Sequence, residues 1–174
     1  MVAKVRLAQT EEPKRRMPDS SYRTTFTVNQ APAEVFAAIN NVRGWWSEQI
    51  EGSTDTVGET FKYVFQDLHR CEVRVDELIP GKKVAWTFVD SYFSFTKDAE
   101  WKGTRVVFDI ARKDDRTEVT FRHVGLLPDF ECFEACSDGW RTYINGSLKN
   151  LITTGQGSPN TGKAITESEQ SLSR

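Results

Sequence analysis

The sequence has no apolar run approaching the ~18 residues of a membrane-spanning helix, so no such span is expected. Its opening stretch "MVAKVRLAQTEEPKRRM" lacks the continuous apolar segment of a secretory signal. Cysteine is scarce: Cys71, Cys132 and Cys136 are an odd number without framework spacing, which fits a reducing, cytoplasmic setting. No charge sign dominates, with 23 Lys and Arg against 25 Asp and Glu and a net charge of −2. That balance argues against nucleic acid as a partner, and Lys14, Arg15 and Arg16 read as a solvated cluster. The recurrent catalytic words are missing: no GxSxG, no Walker loop, no HExxH and no dinucleotide-binding glycine pattern. Glu59, Glu72, Asp76, Glu77 and Asp109 alternate with apolar residues and read as solvated strand faces, not as an acid–base pair. No enzyme activity, metal or cofactor is expected from these patterns.

What the chain has in quantity is aromatic side chains: 11 Phe, 5 Trp and 4 Tyr. Such residues bury large areas with few rotatable bonds, so they suit a core or the lining of a cavity. Their spacing sets out the elements. "SYRTTFTV" alternates with Tyr22, Thr24, Phe26 and Val28 on one face, a half-buried strand. "NQAPAEVFAAIN" has Pro32 in a first helical turn and Val35, Phe36 and Ile39 at helical spacing. "NVRGWWSEQIEG" reads as a second short helix carrying Trp45 and Trp46. From Gly58 the period becomes two: Phe61, Tyr63 and Phe65, then Cys71, Val73 and Val75, then Val84, Trp86 and Phe88 after a Pro80–Gly81 turn. Val106, Phe108 and Ile110 follow, then Val119, Phe121 and His123. His69 reads as a loop or strand-end residue.

From residue 131 the pattern is helical. At about 100° per residue, Cys132, Phe133, Cys136, Trp140, Tyr143, Ile144, Leu148 and Leu151 fall within one apolar arc. Asp138–Gly139 is expected to kink the helix or restart it with Asp138 as N-cap. "TTGQGSP" stops it, with Gly155 just past the end. Residues 1–20 and 156–174 are polar and expected as flexible arms around one domain, 21–155. A domain of roughly 130 to 140 residues needs no disulfide or metal staple.

The order is strand, two short helices, antiparallel strands, long amphipathic helix. It resembles the helix-grip fold of the START-like, or SRPBCC (Bet v 1-like), superfamily. Within that group, the series "TTFTVNQAPAEVFAAI", "WW", "VGETFKY", "GKKVAWTF", "GTRVVFDI", "TEVTFRHVGL" and "CSDGWRTYINGSLKNLITTG" resembles the activator of heat-shock-protein-90 ATPase homologue family over about residues 21–155. The resemblance implies an α+β fold: a curved antiparallel sheet of six to seven strands wrapped around a long C-terminal helix. Its eukaryotic co-chaperone members carry a second, N-terminal domain, where this sequence has twenty residues before its first strand.

Two kinds of site compete. A zinc site would use Cys132 and Cys136, four apart on a helix, with His123 and Cys71 converging from the sheet. Buried free cysteine acting as a small hydrophobe is the preferred reading, and a Cys132–Cys136 disulfide is disfavoured by the angles along one helix. His123 points to the concave side and is read as a buried structural histidine before a general base. The other kind is a ligand cavity. Trp45, Trp46, Phe61, Tyr63, Phe65, Trp86, Phe88, Phe108, Phe121, His123, Cys136, Trp140 and Tyr143 come from different elements yet can face one space between helix and sheet. Either they fill it or they line a cavity for a small hydrophobic, aromatic or lipid-like molecule, which is the expected function. The alternative, from the resemblance alone, is a co-chaperone-like regulator with a chaperone as partner.

Overall fold

A computed structural model describes residues 19–173, so the N-terminal arm expected over 1–20 lies almost wholly outside it. Seven strands form one antiparallel, curved sheet: β1 (Tyr22–Val28), β2 (Glu51–Gly52), β3 (Thr60–Phe65), β4 (His69–Ile79), β5 (Lys83–Phe93), β6 (Arg105–Lys113) and β7 (Arg116–Val124). Their spatial order is β1-β7-β6-β5-β4-β3-β2. Short turns join β3 to β4, β4 to β5 and β6 to β7, while residues 94–104 form a longer loop between β5 and β6. Ile79 to Lys82 closes the β4–β5 hairpin, with Gly81 at φ 70° and the Lys82 amide donating to the Ile79 carbonyl (2.9 Å). A type II turn needs that positive φ at its third residue, which is why glycine follows proline there.

Alternation sorts each strand by face. Phe108 pairs with Phe121, Val106 with His123 and Ile110 with Val119, and all six are buried. Two irregularities, at Glu72/Val73 and Val75/Glu77, interrupt the β4–β5 register. Such bulges sharpen a strand's bend and twist.

α1 (Pro32–Asn40) starts on Pro32 and buries Val35 and Ile39. α2 (Val42–Trp45) is shorter than expected; Trp46 follows its end, and residues 51–52 leave the helical pattern to pair with β3. The C-terminal helix also departs from expectation. It runs as α3 (Phe133–Trp140), a π-helical stretch (Arg141–Leu148) and α4 (Lys149–Thr154), then ends at Gly155. The backbone stays right-handed helical through both joins, so Asp138–Gly139 neither breaks nor restarts it. Asp138 instead accepts a bond from the Ser168 amide (3.2 Å). The N-terminal amides are capped from a loop: Glu100 accepts from Glu131 N (2.7 Å) and Cys132 N (3.0 Å). A carboxylate there also complements the helix dipole.

In a π turn the i→i+5 bonding shifts which residues share a face. Asn145, outside the apolar arc, bonds Thr24 of β1, and Ser147 is buried, its hydroxyl donating to the Trp45 carbonyl (2.7 Å). No helix among the described residues is long and apolar enough to cross a membrane.

Residues 156–173, expected as part of a flexible arm, make specific bonds to the domain. The Asn160 amide donates to the Trp46 carbonyl (2.9 Å), and its own carbonyl accepts from Glu48 N (3.0 Å). Gly157 sits so close to α2 that a Cβ would lie 2.2 Å from the Gly44 carbonyl oxygen, so only glycine fits. A short helix, α5 (Glu167–Leu172), follows, with Thr166 and Glu169 forming a capping box. Polar composition misled the sequence reading because the polar groups here find protein partners instead of water.

Candidate functional site

A cavity of about 60 Å³ lies among the ends of β3 and β5, the start of β4, the loop after β5, the C-terminal helix and α5. From the helix, Ala135, Cys136, Gly139, Trp140 and Tyr143 form one wall. Gly139 leaves the gap: a Cβ added there would meet nothing within 4 Å. Phe65, His69 and Phe93 sit opposite one another in register and supply the sheet wall. The His69 ring stacks on Phe93 (4.0 Å between centroids, 18° between planes) and meets Trp101 edge-on (4.7 Å). Trp46 stacks on Tyr63 at 4.5 Å, and Trp101 on Trp140 at 5.4 Å. Such contacts fix ring positions beyond what area burial alone would do.

Next to the cavity runs a polar chain that locks Trp140. Its indole Nε1 donates to His123 Nδ1 (3.0 Å), and the other ring nitrogen, Nε2, lies 2.7 Å from Thr104 Oγ1. An indole N–H only donates, so Nδ1 carries no proton and Nε2 does. The Thr104 hydroxyl in turn donates to the Trp101 carbonyl (2.6 Å). Every donor has an acceptor, and the one basic nitrogen of His123 is occupied. Burial holds His123 in the neutral form, with its pKa lowered to about 3 and neighbouring His69 adding to the effect. His69 is likewise lowered to about 3 by burial, and its Nε2 has no hydrogen-bond partner.

A second polar cluster ties the C-terminal segment to the cavity. Asn160, fully buried, donates from Nδ2 to Tyr63 OH (2.9 Å) and Tyr143 OH (3.2 Å), while its Oδ1 accepts from Ser47 Oγ (3.1 Å). Tyr143 OH donates to Glu169 Oε1 (2.8 Å), and Glu169 Oε2 accepts from the Ile165 and Thr166 amides. Burial first, and the Glu169 charge second, push the Tyr143 phenol well up, so it stays protonated and donating. Tyr63 is raised too, chiefly by burial.

The cysteines do not assemble into a centre. All three are free and buried. Cys71 is on β4 opposite Ser91, whereas His123 is on β7, bonded to Trp140 and Thr104. Among the described residues no three His, Cys, Asp or Glu side chains group as a metal site requires. Burial raises the thiol pKa of both Cys71 and Cys136.

The description "Activator of Hsp90 ATPase homolog 1-like protein" matches residues 29–153, most of the chain. The protein belongs to this family. No curated protein matches the chain. Among solved structures, the Aha1 dimer from Colwellia psychrerythraea is similar with a TM-score of 0.63 and 24% identity, over 78% of this chain and 97% of that one. DynU16, a putative protein of the dynemicin biosynthetic locus, gives 0.60 and 18% over 82% of this chain but only 51% of its own length. MLL2253 from Mesorhizobium loti gives 0.58 and 14%, over 75% and 96%. At these identities the likeness is one of fold.

In this member of the family, the aromatic set expected to face one space divides in two. Trp46, Tyr63, Phe65, Cys136, Trp140 and Tyr143 border the cavity. Trp45, Phe61, Trp86, Phe88, Phe108, Phe121 and His123 do not; they pack the core deeper between α2, the helix and the mid-sheet. Trp45 and Trp86 stack within 7° of parallel, and Phe108 meets both edge-on. Sequence reasoning missed His69, Phe93 and Trp101, together with all of α5. A signal existed for His69: it continues the period-two row of Val73 and Cys71 by one more step. Trp101 lies in a loop without periodicity, and α5 is polar except for Leu172 at its end.

Proposed function

We propose that this family member binds a small apolar or aromatic molecule in the cavity beneath α5. The observation that carries the reading is the unfilled space at Gly139, walled by aromatic rings. Ligand cavities commonly span roughly 300–1,000 Å³. At about 60 Å³ this one accommodates only a very small group unless a wall gives. The wall with the fewest apolar anchors is α5, which buries no residue of its own and is held by polar bonds to Tyr143 and Asp138. On this reading the protein is a carrier or sensor without a catalytic step, since the basic nitrogen of His123 is already bonded.

The test is an NMR screen of the Trp indole N–H signals with indole, phenols and short-chain lipids, run on the natural protein and on Gly139→Leu. Saturable shifts at Trp46 and Trp140 that vanish in the filled variant support the reading. No saturable shift with any compound would sink it.

The family itself supports a second reading, a regulator of a chaperone ATPase. Stimulated turnover of the organism's own chaperone, undiminished in Gly139→Leu, would favour that role over ligand binding.

A further inference from the structure

We infer that the cavity selects compact cations, an alkylammonium or quaternary ammonium group on a small apolar body, with Glu169 as the charged partner. The inference rests on the cavity reading above and narrows its ligand class.

Three features of the lining lead there. First, Trp46, Tyr63, Trp101 and Trp140 all border a space of about 60 Å³, so a group placed in it touches several rings at once. An aromatic π-cloud attracts a cation, and the attraction grows when water is excluded. Second, the charge inventory has one sign. Glu169 is the single carboxylate of the lining, and no Lys or Arg borders the cavity. His69, the remaining titratable base, is buried and neutral at physiological pH. Third, the carboxylate has capacity left. Oε2 receives two backbone amides and Oε1 receives only Tyr143 OH. An ionised carboxylate offers about four acceptor positions.

An anion is excluded by the same inventory. It would meet Glu169 with no compensating cation and would face the electron-rich rings. A neutral apolar group fits sterically but leaves the carboxylate's attraction unused. A long acyl chain does not suit the volume. A trimethylammonium group is compact, weakly hydrated and nearly spherical, which matches the sign of the site and asks α5 to yield only a little. Because Glu169 stands on α5, ligand charge would also fasten that helix in place.

Choline, its neutral carbon isostere 3,3-dimethylbutan-1-ol, and 3,3-dimethylbutanoate differ mainly in charge. Titrations are followed at the Trp46, Trp101 and Trp140 indole signals of the full chain, with indole as a control. Choline binding at least about tenfold tighter than the alcohol, with the carboxylate weakest, is the expected order. Glu169→Gln keeps the capping geometry, since glutamine serves at that position. It should remove most of the preference for choline while leaving the alcohol's affinity within about twofold. If the alcohol or the carboxylate binds as tightly as choline, the cation inference fails and the cavity reading stands. If Glu169→Gln keeps the full preference, Glu169 is not the partner and the inference fails. If no compound, indole included, shifts any indole signal, the cavity reading itself falls.

Discussion

The two buried histidines predict a stability that drains away on mild acidification. Both have folded-state pKa values near 3, against about 6.5 in an unfolded chain. Between those values the unfolded state binds more protons, so stability rises with pH and is lost as pH falls below about 6.5. At pH 5.5 each histidine costs the folded state RT ln(1 + 10), between about 1 and 2 kcal/mol, relative to high pH. At pH 7.5 the cost is under about 0.1 kcal/mol. The figure does not depend on how far below about 4.5 the folded values lie, because at pH 5.5 the native histidines are neutral either way. Together they remove about 3 kcal/mol between pH 7.5 and 5.5, a large share of a typical stability of about 5–15 kcal/mol. Ordinary carboxylates titrate near 4, so this window belongs to the histidines.

The discriminating variant is His69→Phe. The ring stacked on Phe93 is kept in kind, and the unpartnered Nε2 disappears. An orphaned buried polar atom costs about 1–3 kcal/mol, so the variant should be no less stable than the natural protein at pH 7.5. Its loss on going to pH 5.5 should fall by about half, to the share of His123 alone. Urea unfolding followed by tryptophan fluorescence at pH 7.5, 6.5 and 5.5 measures both quantities. A natural protein that loses less than about 0.5 kcal/mol, or a variant that keeps the full loss, refutes the reasoning.

Thr104→Val removes the hydroxyl between His123 Nε2 and the Trp101 carbonyl and should cost about 1–3 kcal/mol in urea unfolding, with Thr104→Ser retaining most of it. Asn160→Ala breaks its bonds to Ser47, Tyr63 and Tyr143; amide exchange should speed up across residues 158–172 while β5 to β7 keep their protection. The buried thiols should react with a disulfide reagent only as the protein opens, so labelling should track unfolding and not the pH of the native state. Fast native labelling at Cys71 or Cys136 would contradict their burial.

How far the sequence showed all this depends on which physical signal each part carries. The sheet was legible because a half-buried strand must alternate, and Phe61, Tyr63 and Phe65 or Val106, Phe108 and Ile110 leave no other register that keeps water out. The Pro80–Gly81 turn was legible because positive φ is nearly a glycine property. The C-terminal helix was legible as a helix but not in its turn. The change from i→i+4 to i→i+5 bonding over Arg141–Leu148 leaves no compositional trace, and it brings Ser147 inward to hold Trp45. The candidate site was half visible. Aromatics were identified correctly as the material of the inner face, yet nothing local tells which rings interlock and which stop short of one another. That depends on a missing side chain, at Gly139, between Cys136 and Trp140 of the helix face that was read.

The C-terminal segment presents the sharper lesson. Residues 156–172 have almost no apolar pattern, and weak hydrophobicity ordinarily means that ordering entropy is not repaid. Here the compensation is polar and specific. Asn160 satisfies both halves of its amide inside the protein, Gly157 permits a backbone approach no other residue would allow, and Glu169 holds its own helix turn and Tyr143 together. Few polar bonds over a small apolar area make a wall that is defined yet cheap to displace, each bond being worth only about 0.5–1.5 kcal/mol net. A segment of that kind suits the rim of a cavity better than its floor. The floor, built from Trp140, Trp101 and the His123 chain, is tied by stacked rings and side-chain bonds, and on the proposed reading α5 is the part of the wall that would yield to a ligand.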